Sequence, residues 1–430
     1  MRKWVIGCFL VCPLLCCGGV ALFARKWVDT FDYSADLNNQ LAEAKKRGMP
    51  FVREDMKRSS ALPSSENSFP LVVQLIKDFP KMKQSGAVTL SKAPADHEPI
   101  PQSLRVLIAR AQEIARRKGY ESNKDMDKGI FETYPEYLAL KNCERALSIK
   151  ATHEAAAGHA DAAIENLRLG RNLAMQLDEE PTLIGVLVRI AMMQFYYRAT
   201  SKVIGYFENN HELLERLRAL LKEPVHEVDR KLFLKGEYYM ALSLTRNFKA
   251  FGGIKALSGT ERPIEISDQQ IRRTGLPTGM LERGLLSSFI KHFLEVLTIF
   301  EREPNMAISG RKAEEYVDKI PTTTSNAMTQ VMMPIWRESG IAWEKQKLSP
   351  PMLIASIDLI EHRKDGMFPG EIPEIPDLVG GGTLNYLRTG GGFLIYSSGP
   401  NGKDDGGPRN STTRTKSDDF GYEYPFVNKK

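Results

Sequence analysis

One pattern occurs three times in succession between Tyr134 and Tyr206, and it limits the fold more than any other feature of the chain. The segments "PEYLALKNCERALSIKATHEAAA", "GHADAAIENLRLGRNLAMQL" and "PTLIGVLVRIAMMQFYYRATSKVIG" carry their apolar residues at helical spacing. In the first these are Tyr137, Leu140, Cys143 and Leu147; in the second Ala160, Ala163, Ile164, Leu167, Ala174 and Leu177. The third has Leu183, Val186, Leu187, Ile190, Met193 and Tyr197. Spacings of three and four place such residues on one buried helix face. Gly158 separates the first two segments, and Pro181 stands at the start of the third, where a missing N–H costs least. The pattern predicts a mainly α fold built as an antiparallel helical stack.

The amino-terminal end has a different character. Arg2 and Lys3 precede an uncharged run from Trp4 to Ala24, and Arg25 and Lys26 close it. That length suffices for one bilayer-spanning helix, so residues 1–28 are expected to be a transmembrane anchor. A cleaved signal peptide is the alternative, since Gly19 and Ala21 have the small side chains a cleavage site needs. The flanking charges place the amino terminus in the cytoplasm and the bulk of the chain outside. Four of the five cysteines (Cys8, Cys12, Cys16 and Cys17) fall in this run, leaving only Cys143 beyond it, so the remainder has no disulfide framework. A net charge of +6 over 430 residues makes no case for nucleic acid.

Residues 29–345 read as one helical domain. Helical stretches are expected at 37–47, 66–79, 103–118 and 211–223, from Val225 to Asn247, and around Leu286–Phe300. The 103–118 stretch carries Arg105, Arg110, Arg116 and Arg117 opposite its apolar residues; a solvated face and a membrane-surface helix are the two readings. Residues 251–279 are rich in Gly, Pro and charge and read as a long excursion. A further helix is expected from Ser325 to Gln346, kinked at Pro334, with Pro350-Pro351 opening the next. From Gly366 short β-rich runs replace helical periodicity: "TLNYLRT", "FLIYSS" and "GYEYPFV". Residues 346–430 are therefore expected to form a small α+β module, a helix followed by an antiparallel hairpin.

Few residues point to chemistry. His153, Glu154 and His159 mimic a zinc-protease motif, but a histidine spacing of six sends the rings to different sides of a helix. Gly380–Gly382 and Gly390–Gly392 lack the Lys-Ser/Thr of a phosphate loop, and no GxSxG elbow is present. Arg189, inside an apolar helix, is expected either to pair with a carboxylate at a helix contact or to snorkel outward, rather than to be catalytic. Asp404, Asp405, Asp418 and Asp419 form two acidic pairs in loops around the last strand, able to supply oxygen ligands to calcium or to serve as solvated turn residues. No catalytic residue is assigned. Were the chain an enzyme, Glu237, Tyr238 and Tyr239 would be candidate lining residues of a cleft between helical domain and tail.

Two stretches resemble known families. "GHADAAIENLRLGRNL" (residues 158–173) looks like the second helix of a tetratricopeptide repeat, through Gly158, Ala163-Ile164-Glu165, Leu167 and Gly170. Residues 352–426 resemble the carboxy-terminal part of the type II secretion major pseudopilin, through "EHRKDGMFP", "LNYLRTGGGFLIYSSGPNGKDDGG" and "DDFGYEYP". In that family the loop binds calcium, which the resemblance would transfer to Asp404, Asp405, Asp418 and Asp419. The whole layout resembles uncharacterised bacterial membrane-anchored proteins. The expectation is a single-pass protein of the bacterial cytoplasmic membrane, non-catalytic, contacting a protein partner through its helical layer. The alternatives are an envelope enzyme and a component of a pilus-like secretion assembly.

Overall fold

A computed structural model of the chain describes residues 36–56, 62–84, 94–122, 125–131, 133–227, 229–246, 278–321, 326, 329, 336–408 and 419–427. The protein is mainly helical, with eleven helices among the described residues and a small three-stranded antiparallel sheet. Helix α1 covers residues 36–46, followed by α2 (Phe69–Gln84), α3 (Gln102–Ala115), α4 (Pro135–Ala156), α5 (Ala160–Met175) and α6 (Leu183–Tyr206). Then come α7 (His211–Lys222), α8 (Arg230–Arg246), α9 (Thr278–Arg302), α10 (Met306–Asp318) and α11 (Trp336–Glu361). No helix among the described residues is long and apolar enough to cross a membrane; the expected anchor, residues 1–28, lies outside them. Residues 251–277 of the expected excursion, and Pro334, lie outside them too.

The three segments of the repeated pattern are α4, α5 and α6. Gly158 ends the first with φ +81°, a left-handed conformation that suits glycine. Pro181 precedes the N-cap of α6 rather than opening the helix: Thr182 is the cap, and its Oγ1 accepts from Gly185 N at 3.1 Å. Asn210 and Asn305 cap α7 and α10 in the same way, accepting from Leu213 N at 3.1 Å and Ile308 N at 3.0 Å. The Tyr137 hydroxyl donates to Glu180 at 2.5 Å and lies 3.1 Å from Thr182 Oγ1, tying the start of α4 to the start of α6.

Apolar burial divides into two main cores. The first gathers α2 to α5, the later turns of α6, α7, the second half of α11 and the sheet. The second gathers α1, Leu183, Val186 and Ile190 of α6, helices α8 to α10, and Trp336 and Trp343 of α11. Helices α6 and α11 therefore run through both, changing core between Ile190 and Met192 and between Trp343 and Leu348. Here one expectation is corrected. Pro350 and Pro351 lie inside α11 and do not open a helix. They remove two backbone donors, but Leu348, Met352, Leu353 and Ile357 on either side are buried in the first core. Burial at about 1.5–3 kcal/mol per large apolar side chain outweighs the lost bonds.

The sequence reading passes over helix α10, although Met306, Gly310, Ala313 and Val317 of "MAISGRKAEEYVD" share one buried face. Contact with α11 secures it. A Cβ on Gly310 would lie 2.3 Å from the Trp336 carbonyl oxygen, and one on Gly340 would lie 2.0 Å from that of Met306. The two backbones approach as closely as glycine permits.

The sheet has the order β1 (Asn385–Thr389), β2 (Gly392–Ser397), β3 (Phe420–Tyr424), with Leu387 opposite Leu394 and Ile395 opposite Tyr422. The expected hairpin is β1–β2, and β3 adds a strand on its far side. Phe393, Ile395 and Tyr424 join the first core beside the second half of α11.

Candidate functional site

The chain between α7 and α8, residues 223–229, is where the sequence reading fails most informatively. Helical spacing predicts α8 from Val225, yet it starts at Arg230. Two buried arginines account for the difference. Arg171 of α5 donates to the Pro224 carbonyl at 2.6 Å and pairs with Glu223 at 3.0 Å. Arg189 of α6 donates to the His226 carbonyl at 2.7 Å and to Asp178 at 2.5 Å, a carboxylate pairing and so the first of its two expected settings. Carbonyls engaged by guanidinium groups are withdrawn from helical bonding, so residues 224–227 stay non-helical, and Asp229 accepts from Lys231 N at 2.8 Å at the start of α8.

A cavity lies on each side of this connector. The larger is an open cleft of about 1010 Å³ between the end of α3, the outer face of α5 and the connector. Arg116, Arg117, Lys118, Glu165, Asn172, Glu179, Glu227 and Asp229 line it, a wall carrying both signs of charge. Much of that charge already has a partner: Lys118 with Glu66 at 2.6 Å, Arg117 with the Ser65 carbonyl, Glu227 with Lys347 at 3.0 Å. Gln176 closes the deep end, its Nε2 donating to the carbonyls of Ile114 at 3.0 Å and Arg117 at 2.9 Å. The smaller cavity, about 230 Å³, lies between α6, α11 and the connector. Its inner wall is Arg189, Tyr197, Leu221, Trp343 and Gln346, all buried; Glu223, His226 and Glu227 stand exposed at its edge. His226 and Glu227 border both cavities.

Glu237, Tyr238 and Tyr239 do not line a common cleft, which corrects that expectation. Glu237 accepts from Leu183 N at 2.8 Å and so caps the start of α6; enclosure pushes its carboxyl up to about 7, partly offset by that N–H. Tyr238 packs among Phe51, Phe289 and Phe293. The Tyr239 hydroxyl donates to Asp127 at 2.5 Å. Successive helical residues point in different directions, and each has been taken up by a different neighbour.

In the tail, Asp418 lies outside the described residues. Asp404 accepts from the Tyr396 hydroxyl and from Gly406 N, both at 2.9 Å. Asp419 accepts from Asp405 N at 3.0 Å and Gly407 N at 2.8 Å, and Asp405 accepts from Asn401 at 3.3 Å. Burial, with Asp405 and Asp404 nearby, holds the Asp419 carboxyl above its ordinary range. Among the described residues no group of three or more His, Cys, Asp or Glu side chains is placed to share a metal ion. The residue that organises this end of the sheet is one the sequence reading missed, Asp377. Its carboxylate accepts from Ser397 Oγ at 2.8 Å, Val379 N at 3.0 Å, Gly380 N at 2.9 Å and Ser398 N at 3.0 Å. An aspartate three residues before a glycine triplet was the available signal. Glu154 holds Lys150 and, at 2.7 Å, His159 on the outside of α4.

No known protein family, curated protein or solved structure matches the chain. The two cavities around the connector are thus the features from which a function is argued.

Proposed function

We propose that the chain is a membrane-tethered, non-catalytic binding protein that holds an extended, charged polypeptide segment of a partner in the cleft between α3, α5 and the connector. The observation that carries this is the size and character of the cleft. At about 1010 Å³ it stands at the upper end of small-molecule pockets, roughly 300–1,000 Å³, and its wall sets charges of both signs among apolar side chains such as Met56, Leu62, Leu169, Met175 and Leu232. Such a wall suits a solvated main chain with side chains of both signs better than a drug-like ligand. The tetratricopeptide-like residues 158–173 include most of α5, and stacked helices of that kind bind partners along concave faces. On this reading residues 1–28 are the anchor in a bacterial cytoplasmic membrane and the helical domain lies outside.

The test is site-specific photocrosslinking in native membranes. A crosslinker at exposed Asn172, on the cleft wall, is expected to give a discrete adduct that Arg116→Glu with Lys118→Glu abolishes, while one at exposed Arg311 on α10 gives none. No adduct at Asn172, or the same adducts at both positions, overturns the reading.

A second proposal concerns the tail: calcium binding at Asp404, Asp405, Asp418 and Asp419. Its support is the resemblance of this loop to that of the pseudopilin family, with Asp405 and Asp404 near enough to raise the cost of charging Asp419.

A further inference from the structure

We propose that the smaller cavity, between α6, α11 and the connector, is a binding site for a free α-amino acid with an apolar side chain. Size comes first. At about 230 Å³ the cavity falls below the range of drug-sized ligands, roughly 300–1,000 Å³, and matches a single amino acid. The second argument is a pair of polar side chains left without partners. Tyr197 is only 2% exposed and Gln346 only 7%; both line the cavity, and neither makes a side-chain hydrogen bond to any described residue. Their polar atoms are not sealed in the core but open to the cavity, where an occupant can satisfy both.

Charge supplies the third argument. Arg189 and Lys347 line the cavity with Glu223 and Glu227, and His226 stands at its edge. Lys347 already pairs with Glu227 at 3.0 Å and Glu223 with Arg171 at 3.0 Å, so the mouth is balanced within the protein and favours an occupant of no net charge that carries both signs, a zwitterion. Arg189 uses Nε for Asp178 and one terminal nitrogen for the His226 carbonyl, leaving the other terminal nitrogen as a donor beside the Tyr197 hydroxyl's wall. Those two groups receive the carboxylate, bound by charge-assisted hydrogen bonds. The Gln346 amide oxygen, with Glu223 or Glu227 at the edge, receives the ammonium. Trp343, Leu221 and Val225 provide the apolar surface for the side chain. This site is separate from the cleft on the other side of the connector, and its test does not depend on that reading.

The experiment is calorimetric titration of the full-length protein in detergent micelles with L-phenylalanine, and in parallel with L-phenylalaninamide and N-acetyl-L-phenylalanine. The expected result is saturable binding of the amino acid and at least tenfold weaker binding of both blocked forms, about the loss of one charge-assisted hydrogen bond. Tyr197→Phe and Gln346→Leu are each expected to weaken binding about tenfold. Val225→Trp, which fills the cavity, is expected to abolish binding with the melting temperature retained. The two milder variants decide the matter if the filled variant does not fold. Absence of saturable binding at millimolar L-phenylalanine overturns the proposal. So does equal binding of a blocked form, or binding that neither Tyr197→Phe nor Gln346→Leu changes.

Discussion

Glu237 couples the stability of the second core to pH in a direction opposite to that of most carboxylates. Its carboxyl is raised from an ordinary 4.5 to about 7 by enclosure at the start of α6. An acid whose folded pKa is raised binds its proton more tightly when folded. Its favourable contribution is complete below the unfolded pKa, declines as pH rises through the window from about 4.5 to about 7, and is gone above it. A shift of this size corresponds to about 3 kcal/mol at about 1.4 kcal/mol per pH unit. Glu237 is only partly enclosed by surface exposure, so water at its outer edge screens the charge and roughly 2 kcal/mol is the better figure. Glu237→Gln keeps the acceptor for Leu183 N and removes the titration. Urea unfolding of the full-length protein and the variant across this pH range measures the difference. The variant is expected to gain roughly 2 kcal/mol on wild type between about pH 4 and about pH 8, with the change complete near neutrality. A stability difference that does not move with pH, or that moves the other way, refutes the reasoning.

Gly236→Ala is expected to cost about 3 kcal/mol, because its Cβ would lie 1.4 Å from the Pro181 carbonyl oxygen, whereas Gly284→Ala, with nothing within 4 Å, should stabilise α9 by up to about 1 kcal/mol. Thermal melting of the two variants side by side separates helix propensity from close approach. Arg189→Met leaves Asp178 and the His226 carbonyl without their shared donor and is expected to cost about 3–5 kcal/mol, as measured by denaturant unfolding. For the tail, calcium is expected to raise the melting temperature and chelator to reverse the rise, with Asp404→Asn and Asp419→Asn each reducing the effect; an unchanged midpoint discards calcium.

Where the sequence was legible, local periodicity and local composition both pointed the same way. The helices α4, α5 and α6 and the strands β1 and β2 follow from spacing and from glycine punctuation, since the residues that decide them are near neighbours in the chain. For Arg189 the sequence left two settings open, a carboxylate partner or an outward reach to solvent, and the structure shows the first, with Asp178. The failures were non-local. Val225 to Glu227 carry helical spacing but are not helical, with the Pro224 and His226 carbonyls engaged by Arg171 and Arg189, more than thirty residues away. Pro350-Pro351 are ordinary helix breakers overridden by burial on both sides, and α10 rests on a glycine-mediated approach to α11. Neither Tyr197 nor Gln346 carries any sign in the sequence that it faces a cavity, for a helical residue's surroundings are set by whichever helix packs across from it. By itself, then, the sequence determined a mainly helical chain with a small antiparallel sheet, because those elements rest on contacts a few residues apart. Only the tertiary structure decided that α6 and α11 thread two cores and leave a cavity on each side of the connector, because those features depend on side chains that meet across long stretches of chain.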